Sequence, residues 1–174
     1  DTTMGLTPLD GLIMGTRCGT LDPATVFFLS REGGYSIDEI DTMMNKQSGM
    51  LAVSGVSSDS RDIEAGAENG DENCKMALEM FYYRTAQLTS EMVCSMEGVD
   101  TMVFTAGIGE NSAEMRQGVA DRLAWLGVQI DPELNATRSG GPRVISTPDS
   151  KIRVLVVPTN EEYMIALDVA ELLG

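Results

Sequence analysis

Four short stretches carry side chains that could do chemistry on an anionic substrate. In Ala106-Gly107-Ile108-Gly109-Glu110-Asn111, two glycines sit between an apolar run and an amphipathic segment. Glycines there let the backbone approach a ligand closely, and the helix that follows can offer N–H groups to a phosphate or ribose. Spacing alone leaves two readings open: a nucleotide-binding turn, or an ordinary strand-to-helix turn with Asn111 as N-cap and Glu114 completing a capping box. A dinucleotide fingerprint would use Asp131, 22 residues after Gly109, for a ribose, but Ser112 stands where its third glycine belongs and Glu110 would face the pyrophosphate. Arg17, between Gly15 and Gly19, can present a planar fork of donors to a carboxylate or phosphate, or be a solvated surface arginine. Arg61, in Asp59-Ser60-Arg61, can do the same, or form a helix-start salt bridge with Asp62 or Glu64. Glu161 opens the last helix: it is either a hard oxygen ligand for a magnesium ion shared with nucleotide phosphates or favourable first-turn charge, while Thr159 and Glu162 form a capping box.

Charge and composition narrow the classes. The chain has 174 residues, 27 acidic and 12 basic, and no histidine, for a formal charge of −15. So acidic a chain is not expected to bind nucleic acid or an anionic membrane, since phosphate affinity rests on lysine and arginine. Without histidine, no Ser-His-Asp triad, Cys-His pair or histidine metal ligand exists within these residues. Beyond roughly 8 Å the net charge is screened in physiological salt, so a few well-placed arginines suffice for an anionic substrate. Cys18, Cys74 and Cys94 are odd in number and far apart, which points to buried small hydrophobes in a reducing compartment rather than a zinc site or disulfide framework. Nothing here supplies a base to make Cys18 a nucleophile. No basic leader precedes a hydrophobic stretch, and no apolar run approaches the ~18 residues of a membrane span, so a soluble, cytoplasmic protein is expected. The length suits one domain or one lobe of a larger enzyme, and the opening on Asp1 suggests that an N-terminal part is missing.

The elements that must position these residues are read from punctuation and period. Asp22-Pro23 starts a helix ending near Gly33-Gly34, and Ser36 with Glu39 forms a capping box for a second helix running to about Asn45. A serine- and glycine-rich loop follows, then a short acidic helix around Arg61 to Ala65. From Asp71 to about Met96 a single long helix is predicted, with Ala77, Met80, Phe81, Leu88, Met92 and Met96 on one face, as core or as a subunit interface. Thr101 to Thr105, the glycine turn, a helix from Ser112 to Leu126 and the run Val128 to Ile130 read as strand, turn, helix and strand of a parallel α/β unit. Residues 132 to 150 read as loop or hairpin. Lys151 to Val157 reads as a third strand buried on both faces, leading into the last helix, which ends near Leu173.

Together the segments resemble the acetokinase (acetate kinase) family, of the acetate and sugar kinase, Hsp70 and actin superfamily. The resemblance lies in Asp1-Thr2-Thr3-Met4-Gly5-Leu6-Thr7-Pro8-Leu9-Asp10-Gly11, Met14-Gly15-Thr16-Arg17, Ser54 through Arg61, Gly107 through Glu114, Ser146 through Lys151, and Pro158-Thr159-Asn160-Glu161-Glu162, all in order. It implies an α/β fold: the C-terminal, nucleotide-binding and dimer-forming portion (residues 1–174) of an actin-like ATPase (ribonuclease H-like) lobe, incomplete without an N-terminal lobe. It implies reversible phosphoryl transfer between ATP and acetate, giving ADP and acetyl phosphate, with magnesium or manganese, in a homodimer. By the resemblance, Arg17 holds the acetate carboxylate and stabilises the transferring phosphoryl group, Pro8 walls the acetate pocket, and Glu161 is associated with the metal. Asp59, Ser60 and Arg61, and Gly107, Ile108, Gly109, Glu110 and Asn111, fall on nucleotide-binding segments, the glycine turn contacting adenosine. Such chemistry rests on positioning and on cations aimed at the transferring group, and needs no covalent nucleophile. The family's N-terminal phosphate loop, second arginine, catalytic aspartate and transition-state histidine have no counterpart here, so these residues alone are expected to have little or no kinase activity. Ala106 stands where a glycine is more usual, Ser60 where a methionine is, and Cys18 where a serine is. A propionate or butyrate kinase, or a noncatalytic nucleotide-binding or dimerisation module, are the alternatives. In the superfamily the last helix packs towards the other lobe, so its inner face is expected to be exposed or covered by a neighbouring chain.

Overall fold

The computed structural model describes residues 2–174; Asp1, the first residue of the opening family-like block, lies outside them. Two compact units follow one another along the chain, Asp1–Gly98 and Val99–Gly174.

The first unit is helical. Its elements are α1 (Ala24–Arg31), α2 (Ile37–Lys46), α3 (Gly49–Ser54), α4 (Ser60–Glu68) and α5 (Glu72–Ser95). Ser36 and Glu39 cap α2 reciprocally, as their spacing requires. The Asp71 carboxylate accepts from the Asn73 and Cys74 amides and starts α5. α5 packs against α3 and α4 through a stripe of Cys74, Ala77, Leu78, Phe81, Tyr82, Ala86 and Leu88. The predicted stripe is corrected at two places: Met80 is 39% and Met96 61% exposed. The buried positions run from Cys74 to Leu88, so Met96 lies beyond the stretch that meets α3 and α4, and Met80 falls off the buried face. The serine- and glycine-rich stretch Ser54–Ser58 is loop after its first residue, as expected, and α3 runs up to that residue. Gly49, at φ +66°, turns the chain sharply at the start of that helix, which is too short for periodicity to reveal.

The second unit is α/β. Its elements are β1 (Thr101–Phe104), α6 (Ala106–Asn111), α7 (Ala113–Arg122), a 3-10 turn (Ala124–Leu126), α8 (Pro132–Ala136), β2 (Arg143–Val144), β3 (Arg153–Val156) and α9 (Glu161–Leu173). The sheet order is β1-β3-β2. β1 and β3 run parallel, with Thr101 opposite Arg153 and Phe104 opposite Val156, while β2 is antiparallel to β3. The expected parallel partner of β1, Val128 to Ile130, is not a strand of this sheet. It makes a single antiparallel bridge, Ile130 to Ser146, because Asp131 and Pro132 start α8 at once and cut the run short. The apolar run of β3 takes the central place. Val154 and Val156 are fully buried, each side chain stabilising the fold by about 1.5–3 kcal/mol. Phe104, Met115, Val119, Leu123, Ile145 and Ile152 close the core around them. No residue of α9 is buried within the chain. Among the described residues no helix is long and apolar enough to cross a membrane.

Candidate functional site

In the first unit, the segment bearing Arg17 is held by backbone hydrogen bonds from two helices. The Met50 and Leu51 amides at the start of α3 donate to the Met14 and Gly15 carbonyls at 2.9 Å each, and the Cys18 amide donates to Met44 O of α2 at 3.0 Å. Thr16 Oγ1 donates to Asn45 O at 2.9 Å. A Cβ on Gly49 would collide with the carbonyl oxygens of Met14, Gly15 and Arg17, so the glycine is what lets α3 sit under the segment. Arg17 is half-buried, and its guanidinium meets the Met14 sulfur at 3.8 Å. The described ion pairs, Arg61 with Asp59 and Lys75 with Glu72, leave Arg17 with no carboxylate. An arginine pinned at its backbone, whose fork meets no carboxylate among the described residues, is ready for an anion.

Cys18 beside it donates to Gly19 O at 3.1 Å, and burial pushes its thiol above the ordinary range, the opposite of nucleophile activation. Upstream, Asp10 accepts from Thr20 Oγ1 at 2.6 Å and from the Gly11 amide at 2.9 Å, which hold its carboxyl below the usual range and tie down the loop carrying Pro8. Pro8 itself is exposed. An open cavity of about 380 Å³ beside it is lined by Leu6, Leu9, Leu21, Val26 and Met44.

The Asp59-Ser60-Arg61 segment starts α4. Asp59 caps the helix by accepting from the Arg61 amide at 2.9 Å, and it pairs with the Arg61 guanidinium through Nε at 3.0 Å and through Nη2. The guanidinium lowers the Asp59 pKa to about 2. The expected partners, Asp62 and Glu64, are therefore corrected; Asp62 accepts from Ser57 Oγ at 2.7 Å instead. Ser60 is the first residue of α4. The carbonyl of Ser58 lies 2.8 Å from where a Cβ on Gly15 would be, so the segments bearing Arg17 and Arg61 touch.

In the second unit, β1 and β3 are parallel neighbours, so the glycine turn after Phe104 and the residue 157–160 loop that leads from Val156 into Glu161 emerge at the same edge. Ligands of open α/β sheets bind at such carboxyl edges. The two segments are joined: the Glu110 carboxylate accepts from the Thr159 amide at 2.9 Å and from Thr159 Oγ1 at 3.3 Å. Glu110 is thus turned onto the loop that leads into Glu161. The turn is itself the short helix α6, and its first residue, Ala106, has the left-handed φ of +57° that a glycine would adopt freely. Gly107 faces open space, whereas a Cβ on Gly109 would lie 3.3 Å from the Phe104 carbonyl carbon. Ile108 is 36% exposed.

Two expected caps and one ribose candidate are corrected. Ser112, not Asn111, caps α7, accepting from the Met115 amide at 3.0 Å, while Asn111 Nδ2 donates to Gly107 O at 2.7 Å. Asn160, not Thr159, caps α9, accepting from the Tyr163 amide at 3.0 Å. Asp131, the dinucleotide candidate, caps α8 by accepting from the Glu133 and Leu134 amides, so its carboxylate is spent on the backbone. Glu161 and Glu162 stand exposed in the first turn of α9. Among the described residues no three acids or cysteines gather as a metal cage.

The acetokinase family profile matches residues 1–167, nearly the whole chain. The chain belongs to the acetokinase family. It is 52% identical over 172 residues to the acetate kinase of Lachnoclostridium phytofermentans, covering 99% of this chain and 43% of that relative. Its structure superposes on the crystal structure of Porphyromonas gingivalis acetate kinase with a TM-score of 0.91 at 43% identity, again over 99% of this chain and 43% of the other. A propionate kinase from Francisella tularensis gives 0.88 at 43% identity, over 95% and 42%. This acetokinase chain therefore spans less than half the length of the relatives it matches. Its mixed α/β fold is that of part of their actin-like ATPase lobe.

One structural feature escaped the sequence reading of this acetokinase. Arg116, on the inner face of α7, is 2% exposed and binds the turn from below. Its only sequence signal is an arginine among the apolar positions Met115, Val119 and Ala120 of one helix face.

Proposed function

We propose that this chain supplies the C-terminal, nucleotide-binding and dimer-forming portion of a cytoplasmic acetate kinase, which transfers the γ-phosphoryl group of ATP to acetate. A carboxylate oxygen of acetate attacks the γ-phosphorus, the bond to the β,γ-bridging oxygen breaks, and ADP leaves. The observation that carries the reading is the joined carboxyl edge of β1 and β3, where the glycine turn and the loop leading into Glu161 are bridged through Glu110 and Thr159. In this reading Gly107, Ile108, Gly109, Glu110 and Asn111 form the adenosine side, with Asp59, Ser60 and Arg61 also on nucleotide-binding segments. Pro8 walls the acetate pocket, and Arg17 holds the carboxylate and the transferring phosphoryl group. The Arg17 fork, which meets no carboxylate among the described residues of this acidic chain, supports that role.

Glu161 suits a magnesium or manganese ion held by one carboxylate, the nucleotide phosphates and water, which is how such ions are commonly bound at phosphoryl-transfer sites. When bound, the metal neutralises charge on the phosphates. The exposed apolar residues of α1 and α5, Phe27, Phe28, Met76 and Tyr83, are consistent with a dimer face. The similarity to a propionate kinase keeps a longer acyl chain as the second reading.

Acetyl phosphate formation, trapped as the hydroxamate, tests the proposal. It is measured for the 174-residue chain alone and for a chimera joining it to the part of the Lachnoclostridium kinase that it does not cover. Activity in the chimera, abolished by Arg17→Leu and absent from the chain alone, is the expected result. Turnover by the isolated chain, or an active chimera indifferent to Arg17→Leu, refutes it. Relative rates with acetate, propionate and butyrate decide the acyl chain.

A further inference from the structure

Among the described residues, Arg116 is the only charged side chain in the buried set. Taking a guanidinium out of water is costly unless its donors are satisfied. Here the partners are all neutral oxygens. Nε donates to Asn135 Oδ1 at 2.7 Å and Nη2 to Asn135 O at 2.7 Å. Nη1 donates to Gly109 O at 2.9 Å and to Glu110 O at 3.0 Å. Asn135 is itself fixed by donating from Nδ2 to Ala113 O at 2.8 Å. Burial, with Arg143 nearby, draws the Arg116 pKa down from its ordinary value, but a guanidinium begins so high that it stays charged.

The need for this arginine follows from the backbone. α6 ends at Asn111 because Ser112, at φ −99° and ψ 105°, leaves the helical region to cap α7. The last carbonyls of a helix have no amide to accept from, and those of Gly109 and Glu110 face Arg116 here, the first buried and the second part-buried. The planar fork supplies both donors, and its charge complements the negative end of the short helix. Glu110 is then held at both ends, its carbonyl by Arg116 and its carboxylate by Thr159. A continuous chain of hydrogen bonds runs from α8 through Asn135, Arg116 and Glu110 to Thr159, two residues before Glu161.

We infer that Arg116 is a positioning residue, which sets the glycine turn and, through Glu110, the loop leading into Glu161 into one fixed nucleotide-binding edge. It touches no reacting atom. This inference rests on the nucleotide reading of the turn given above. A lysine keeps the charge but cannot span both carbonyls and Asn135, so Arg116→Lys isolates the fork.

The test uses the same chimera and the 174-residue chain. In the chimera, Arg116→Lys should raise KM for ATP by about tenfold or more, the loss expected when charge-assisted hydrogen bonds fail, with KM for acetate unchanged within about twofold. In the chain, hydrogen exchange at the Ser112 amide, which donates to Ile108 O at 3.0 Å, should accelerate while amides of β1 and β3 stay protected. If Arg116→Lys does not fold, Asn135→Ser, which loosens the fork from α8, must shift both readouts in the same direction. An unchanged KM for ATP, equal rises in both KM values, or unaltered Ser112 exchange overturns the positioning role. An unmodified chimera that binds no ATP overturns the nucleotide reading instead, and the exchange of Ser112 still reports on the clasp.

Discussion

Gly107→Ala separates what the fold needs from what a ligand needs. At Gly107 no heavy atom lies within 4 Å of an added Cβ, and its backbone is not in the left-handed region. Inside α6 an alanine should therefore be no worse than glycine, and by helix propensity it should stabilise the chain by about 0.5–1 kcal/mol. A ligand approaching that open face meets a new methyl group, and overpacking of this kind costs about 1–3 kcal/mol. That is about 5- to 150-fold in nucleotide affinity. Gly109→Ala is the contrast: its Cβ would press on the Phe104 backbone at 3.3 Å, so stability should fall whether or not a nucleotide binds. Urea midpoints of the 174-residue chain give the first quantity, and KM for ATP in the chimera gives the second. A Gly107→Ala chain that loses more than about 1 kcal/mol refutes the geometric argument, since nothing in the fold accounts for such a loss. A stable variant with unchanged KM for ATP removes the turn from the nucleotide site.

Ala106→Gly should raise the urea midpoint, by about 0.5–1 kcal/mol in stability, because alanine at φ +57° carries a steric cost of roughly 1–2 kcal/mol that glycine's extra chain entropy only partly offsets. Gly49→Ala should lower stability by at least about 2 kcal/mol, through left-handed strain and collision with three carbonyls of the Arg17 segment, and the same denaturation curve measures it. Asp59→Asn keeps an N-cap but removes the charge partner of Arg61. Because the folded Asp59 pKa is depressed to about 2, the pair contributes above the carboxylate's unfolded value and its contribution fades as pH falls towards 2. The gap in urea midpoint between native chain and Asp59→Asn should therefore be present at about pH 6, narrow through the acid range, and shrink in high salt.

Where a short-range chemical rule governed, the sequence reading and the structure agree. The reciprocal cap of Ser36 and Glu39, the extent of α5, the strand before the glycine turn and the apolar run of β3 each depend on residues a few positions apart. Where two local readings competed, packing chose. Asn160 rather than Thr159 caps α9 because the Thr159 amide and hydroxyl are engaged by Glu110, 49 positions earlier. Arg61 pairs with its own helix cap rather than with Asp62, whose carboxylate is taken by Ser57.

The residues themselves determined the acidic, histidine-free chemistry, the set of available cations and the collinear blocks that mark the acetokinase family, since composition and order need no fold. Only tertiary structure decided that β3 lies beside β1, so that two segments some fifty residues apart share an edge, and that Arg116 turns inward beneath the glycines. Strand pairing and burial are contacts between distant parts of the chain, and their energy comes from apolar surface and hydrogen bonds that exist only once those parts have met.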